Sequence, residues 1–147
     1  MNTLLDNIRA FKKDSITIVV SGDRNWTDYD TIFRVLSALK STNIKITILE
    51  GECKGVDKLC KKAALSLGMN VKPYPADWGE PYDPSAGPIR NRKMLDQKPD
   101  LILAFHPNLK ASKGTKDLVI EALDRNLEVW QIIDNNFDRI QLLRQEL

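Results

Sequence analysis

The feature that most constrains the fold is an alternation of two apolar periods. Short β-branched or apolar runs at residues 16–20, 44–49, 70–74, 100–105 and 128–133 are separated by stretches of helical spacing. In two of these, Ile32, Val35, Leu36 and Leu39, then Cys60, Ala63, Ala64 and Leu67, the apolar residues recur at i, i+3, i+4 and i+7. Strands alternating with helices over short connections imply a parallel sheet with right-handed crossovers and helices on both faces. Pro73 removes a backbone donor from the third run, which places that strand at an edge. The expected fold is α/β, a five-stranded parallel sheet in the order 3-2-1-4-5. In that order the first and fourth strands are neighbours, and ligands bind in the crevice outside their carboxyl ends.

A chain of 147 residues is expected to be one domain, 1–147, with its core over 15–133. Leu4, Leu5, Ile8 and Phe11 give residues 2–13 the apolar stripe of a short amphipathic helix. Thr27 with Asp30 is placed to cap the second helix, and Gly68 to end the third. From residue 89 a basic segment, Arg90-Asn-Arg-Lys-Met-Leu95, is read as helical, with Pro88 at an early position where no amide donor is needed. Residues 135–147 are read as a last helix capped around Asp134-Asn-Asn136. The proline- and glycine-rich residues 75–88 form the longest loop, and loops of this length usually cover a site.

The net charge of +2 does not advertise a nucleic-acid or membrane partner. No apolar run reaches the roughly 20 residues of a membrane span, and Asp6 stands where a secretory leader would carry bases. The expectation is therefore a cytoplasmic protein. Cys53 and Cys60 match neither a metal knuckle nor a redox C-x-x-C and are read as free thiols. With a single histidine, His106, no metal-ligand set is recognisable, and no cofactor is expected.

Chemistry-bearing residues gather where strands end. The first strand stops at Ser21-Gly22-Asp23-Arg24-Asn25-Trp26, the second delivers Gly51-Glu-Cys-Lys-Gly55-Val-Asp57, and the fourth leads to Ser112-Lys113-Gly114-Thr115. Gly22, Gly55 and Gly114 would let backbone amides approach an anion at helix N-termini. Ser112–Thr115 is the best phosphate candidate, although Lys113 precedes its glycine and no Walker A motif is present; nor is there a dinucleotide G-x-G-x-x-G. Arg24, Arg90 and Arg92 could clamp an anion, but Arg90 and Arg92 point to different helix faces and at most one enters a pocket. Most lysines around these loops are read as solvated. Asp23, Asp57 and Asp77 could accept from ribose hydroxyls or serve as a base, and Asp57 could equally cap a helix. Trp26 and Trp78 lie in loops, suited either to stacking on a base or to a satellite apolar cluster, whereas Trp130 belongs in the core. His106 lacks the partners of a triad.

Taken together, Ser21-Gly-Asp-Arg-Asn-Trp26 with Asp28, Gly51-x3-Gly-Val-Asp57, Pro75-Ala-Asp-Trp78, Ala86-Gly87-Pro-Ile-Arg90-Asn91 with Met94, Ala104-Phe105 and Gly114-Thr115 resemble the YspA, cpYpsA-related branch of the SLOG superfamily over about residues 16–132. The resemblance implies a Rossmann-like three-layer sandwich and a nucleotide-derived ligand, in a protein acting as a sensor. It adds Gly87 and Asn91 to the expected ligand-binding set. Relatives include phosphoribohydrolases that split base from ribose 5′-phosphate and DNA-processing proteins that bind single strands. The phosphoribohydrolase motif ends in a catalytic glutamate; the corresponding residue here is Leu118, which cannot transfer a proton. Binding is therefore favoured over that hydrolysis, with Asp77 and Asp117 as the substitute catalytic candidates. Single-stranded DNA binding is the third reading, less favoured than a small nucleotide. A homodimer is expected by analogy with the family.

Overall fold

The computed structural model describes residues 2–144. Helix α1 (Asn2–Ala10) precedes β1 (Ser15–Gly22), α2 (Tyr29–Lys40), β2 (Lys45–Glu50), α3 (Val56–Ser66) and β3 (Asn70–Pro73). Then come α4 (Ala86–Leu95), β4 (Leu101–Phe105), α5 (Gly114–Asp124), β5 (Glu128–Ile132) and a short β6 (Gln141–Leu142). The sheet runs β3-β2-β1-β4-β5-β6, the first five strands parallel and β6 antiparallel to β5. The expected order 3-2-1-4-5 is thus present with one strand added at the β5 edge. β3 forms the opposite edge, as its proline requires.

Side chains on a strand alternate between faces, and the core divides accordingly. Ile16, Ile18 and Val20 of β1 share a cluster with Leu4 and Ile8 of α1, Leu36 of α2 and Ala64 of α3. Val19, Leu49, Ile102 and Ala104 face the other way, onto Met94 of α4 and Leu118 of α5. Both faces of the central strands are therefore dry, which is why those strands read as unbroken apolar runs.

Three expectations are corrected. Residues 135–147 were expected to form a helix, but the described part does not: an Asx turn at Asp134, a 3₁₀ turn at Phe137–Arg139 and β6 stand there, and residues 145–147 lie outside the described residues. Pairing of Trp130 with Leu142 and Gln131 with Gln141, reinforced by Gln141 Nε2 donating to Gln131 Oε1 at 2.9 Å, covers the open edge of β5, a long-range gain that outweighs local helical spacing. The cap of α2 is Asp28, whose Oδ1 accepts from Thr31 N at 3.1 Å, and not Thr27. Finally, α4 starts at Ala86 rather than Ile89, because Asp83 and Ser85 build a turn that launches the helix earlier.

Candidate functional site

The reversal of strand order falls between β1 and β4, where Ser21 pairs with Ala104 and Gly22 with Phe105. β1 leaves the sheet under two close contacts. A Cβ on Gly22 would stand 2.3 Å from the Phe105 carbonyl oxygen and 2.5 Å from Val56 Cγ2, so only glycine lets β4 and the start of α3 approach this closely. The loop then folds on itself, Asp23 Oδ1 accepting from Asn25 N at 2.9 Å. Asp23 O accepts from both Trp26 N and Val56 N, which joins the first loop to the second.

Gly55 makes that junction. Its φ is +80°, and a Cβ there would lie 2.4 Å from Asp23 O. Gly55 holds two loops together and does not line the cleft, contrary to its expected part in anion binding. Gly51 is likewise displaced from the wall, pressed against Arg90 so closely that a Cβ would meet Nη1 at 2.2 Å. Trp26 is a core residue, edge-on to Phe105 at 5.8 Å with its Nε1 donating to Asp28 O, and is not available to stack on a ligand. Asp77 is exposed and outside the cleft.

The remaining expected residues converge. A cleft of about 560 Å³ opens at the β1/β4 reversal. Ser21, Gly22, Asp23 and Arg24 supply one wall, Asp57 and Trp78 another, and Gly87, Arg90 and Asn91 of α4 a third. Ser112, Lys113, Gly114, Thr115 and Asp117 close the side formed by the start of α5. Of the two arginines on α4, Arg90 enters and Arg92 does not; the latter donates to Pro88 O on the surface.

Arg90 is a buried organiser. Its Nη1 donates to Gly51 O at 2.6 Å and to Tyr74 O at 3.4 Å, and its Nε donates to Asn91 Oδ1 at 2.9 Å. Asn91 in turn donates from Nδ2 to Gly114 O at 3.2 Å and to Asp117 Oδ2 at 3.0 Å, so α4 fixes the entrance to α5. At that entrance Ser112 Oγ accepts from Thr115 N at 3.2 Å and Lys116 N at 3.4 Å. The serine thus takes amides that were expected for phosphate. Among the described residues no acceptor takes the Gly114 amide, which stands beside the hydroxyl pair Ser21–Thr115 at 3.1 Å and the exposed Lys113.

Two acids sit beneath the second loop. Asp57 is not the side-chain cap of α3; its Oδ2 accepts from Gly51 N at 3.2 Å and Cys53 N at 3.3 Å, bracing the loop from behind. Burial pushes its pKa up to about 6 against the pull of those amides and of Arg90, and its Oδ1 has no partner among the described residues. Glu50, which sequence reasoning passed over, is fully buried at the end of β2. Its Oε2 accepts from Glu52 N at 2.5 Å, its Oε1 has no partner among the described residues, and burial followed by the contact with Glu52 pushes its pKa to about 8. An acid closing a strand that is buried on both faces was the available clue.

Other residues of the wall came less directly from the sequence. Asn25, Cys53, Tyr82, Pro84 and Pro88 line the cleft, as does His106. His106 Nδ1 accepts from Asn108 N at 2.9 Å, which puts the proton of the neutral ring on Nε2, and burial lowers its pKa while Asp23 pulls the other way. Among the described residues no group of three or more His, Cys, Asp or Glu is placed to hold a metal ion. No described helix is long and apolar enough to cross a membrane.

A wound sheet with its cleft at the order reversal, walled by hydroxyls, cations and a helix start, defines a Rossmann-like α/β fold. Within that class, residues 16–80, from β1 to the beginning of the long loop, match the model of the YspA, cpYpsA-related SLOG family, the family that the motifs resemble. The crystal structure of DNA processing protein A (DprA) from Streptococcus pneumoniae superposes with a TM-score of 0.66 at 17% identity, over 84% of this chain and 52% of that one. The chain therefore spans about half the length of that neighbour, and the likeness is one of fold. Comparison with curated proteins gives no match.

Proposed function

We propose that the cleft binds a nucleotide or nucleotide-derived small molecule, ADP-ribose-like compounds included, and that the protein acts as a binding or sensing module. The observation that carries this reading is the meeting of Ser21, Arg24, Lys113, Gly114 and Thr115 in one cleft at the strand-order reversal. Hydroxyl and amide donors beside two exposed cations, at a helix start, suit a phosphate. The volume is within the range of about 300–1,000 Å³ usual for small-molecule sites. The carboxylates of Asp23 and Asp117 in the cleft wall offer acceptors for sugar hydroxyls. Family membership of residues 16–80 supports a nucleotide-related role.

A second reading, N-glycosidic hydrolysis, is favoured by one detail: Asp117 stands in the wall with one oxygen held by Asn91 Nδ2. Leu118, at the position of the relatives' glutamate, is buried in the core and contributes nothing to the cleft.

A thermal-shift panel of nucleoside monophosphates, dinucleotides and ADP-ribose at millimolar concentration tests the binding reading. A ligand at 100 times its dissociation constant adds about 2.7 kcal/mol of stability. Stabilisation that Arg24→Ala and Lys113→Ala both weaken is the expected result, and no shift with any compound refutes it. Chromatography of the same incubations tests hydrolysis, and intact nucleotides retire it. An oligonucleotide bound with affinity falling steeply in salt would instead favour a single strand as ligand.

A further inference from the structure

Tyr82 is 68% exposed, the most exposed large apolar side chain among the described residues, yet it is held in place. Its ring stacks on that of Trp78 with centroids 5.5 Å apart and planes 20° from parallel. The turn beneath is closed by Asp83 N donating to Trp78 O at 2.7 Å, and Asp83 Oδ1 accepts from Ser85 N at 3.0 Å, tying the turn to the start of α4. Trp78 is backed by the helix itself: a Cβ on Gly87 would come within 3.0 Å of its Cη2. Both rings belong to the wall of the same cleft whose other side is the start of α5.

An aromatic pair of this kind gains little by burial, since the Tyr82 side is left to water. What it offers is a flat open π face. The turn around it carries Asp77, Glu80 and Asp83 and no base, so an anionic group is unwelcome there and a neutral ring is not. Cations for an anion line the same cleft at Arg24 and Lys113. One ligand chemistry meets both ends: a phosphate joined through a sugar to an aromatic heterocycle.

We propose that Trp78 and Tyr82 form the stacking platform for the base of the bound nucleotide, Tyr82 presenting the open face and Trp78, seated on Gly87, backing it. The assignment rests on the nucleotide reading above and adds that the cleft selects nucleotides over sugar phosphates. Because every base has a π face, the platform favours bases as a class rather than one sequence letter.

Calorimetric titration of the four ribonucleoside 5′-monophosphates, ADP-ribose and ribose 5-phosphate into wild type, Tyr82→Phe and Tyr82→Ala tests it. Base–aromatic stacking corresponds to an affinity ratio of about 5- to 150-fold. Wild type should bind the best nucleotide tighter than ribose 5-phosphate by a factor in that range. Tyr82→Ala should remove most of the preference while leaving ribose 5-phosphate unchanged, and Tyr82→Phe should keep it. Because Tyr82 is largely exposed, the loss of its ring contact with Trp78 should lower the melting temperature of Tyr82→Ala by no more than about 5 °C and leave that of Tyr82→Phe unaltered, both measured alongside. Equal wild-type affinities for nucleotide and ribose 5-phosphate overturn the platform while leaving the phosphate site standing. So does a Tyr82→Ala variant that loses nothing, or that weakens both ligands alike. If nothing binds to wild type, the nucleotide reading fails and takes the platform with it.

Discussion

Replacing Asp57 by asparagine isolates the electrostatic cost of the second loop. The Asp57 carboxyl is buried, braced by two backbone amides through Oδ2, and without a partner at Oδ1 among the described residues. Burial is the largest influence on it and raises its pKa from 3.8 to about 6, with the Cys53 amide, Arg90 and the Gly51 amide offsetting only part. Because the folded-state pKa exceeds the unfolded one, the folded state binds the proton more tightly. The associated stability is full below about pH 3.8 and is lost as the pH rises through about 6. A shift of this size corresponds to about 3 kcal/mol. Asparagine keeps an oxygen for the two amides and has no charge to desolvate. Urea unfolding followed by tryptophan fluorescence at pH 4, 5, 6 and 7 gives the stability difference between variant and wild type, in which common titrations cancel. That difference should move in favour of Asp57→Asn by about 2 kcal/mol from pH 4 to pH 7, most of it between pH 4 and pH 6, the rest of the full shift lying below pH 4. A flat difference would refute the dominance of burial. A difference moving the other way would show the Arg90 charge and the amides to outweigh it.

Arg90→Lys should cost about 2–4 kcal/mol in urea unfolding, since one ammonium cannot reproduce bonds to Gly51 O, Tyr74 O and Asn91 Oδ1; Arg92→Lys, on the surface, should fall within about 0.5 kcal/mol. Gly55→Ala should destabilise far more than Gly68→Ala despite similar φ values of +80° and +75°. Only at Gly55 does backbone stand in the way of a Cβ, so Gly68→Ala should cost about 1–2 kcal/mol and Gly55→Ala clearly more; equal costs would show that the backbone conformation alone sets the price.

Much of the architecture was legible because it rests on local chemistry. The run in β4 is apolar on both faces and so is the Ile18–Val20 part of β1, which only a covered strand tolerates; β2 was legible from alternation and β-branching, and Pro73 marked β3 as an edge. The wall residues Ser21–Arg24 and Ser112–Thr115 were legible for a related reason: glycine and polar residues between the end of such a strand and the next helix lie at the sheet edge where ligands bind in this kind of fold. Trp26 was not. Loop position alone could not tell that β4 would bring Phe105 beneath it and turn an indole into core. Gly51 and Gly55 look in sequence like amide donors for an anion, and their spacing requirements become visible only once Arg90 and Asp23 stand against them.

The sequence by itself determined the alternation of strands and helices, the edge position of β3 and the sheet rim that bears the polar loops, because these follow from side-chain periodicity and from proline and glycine backbone chemistry. Tertiary structure alone decided that residues 141–142 close the β5 edge, that Arg90 enters the cleft while Arg92 stays outside, and that Tyr82 stacks on Trp78. Each of these depends on contact between segments distant in the chain or on the path of an irregular turn, and no local period encodes where such atoms meet.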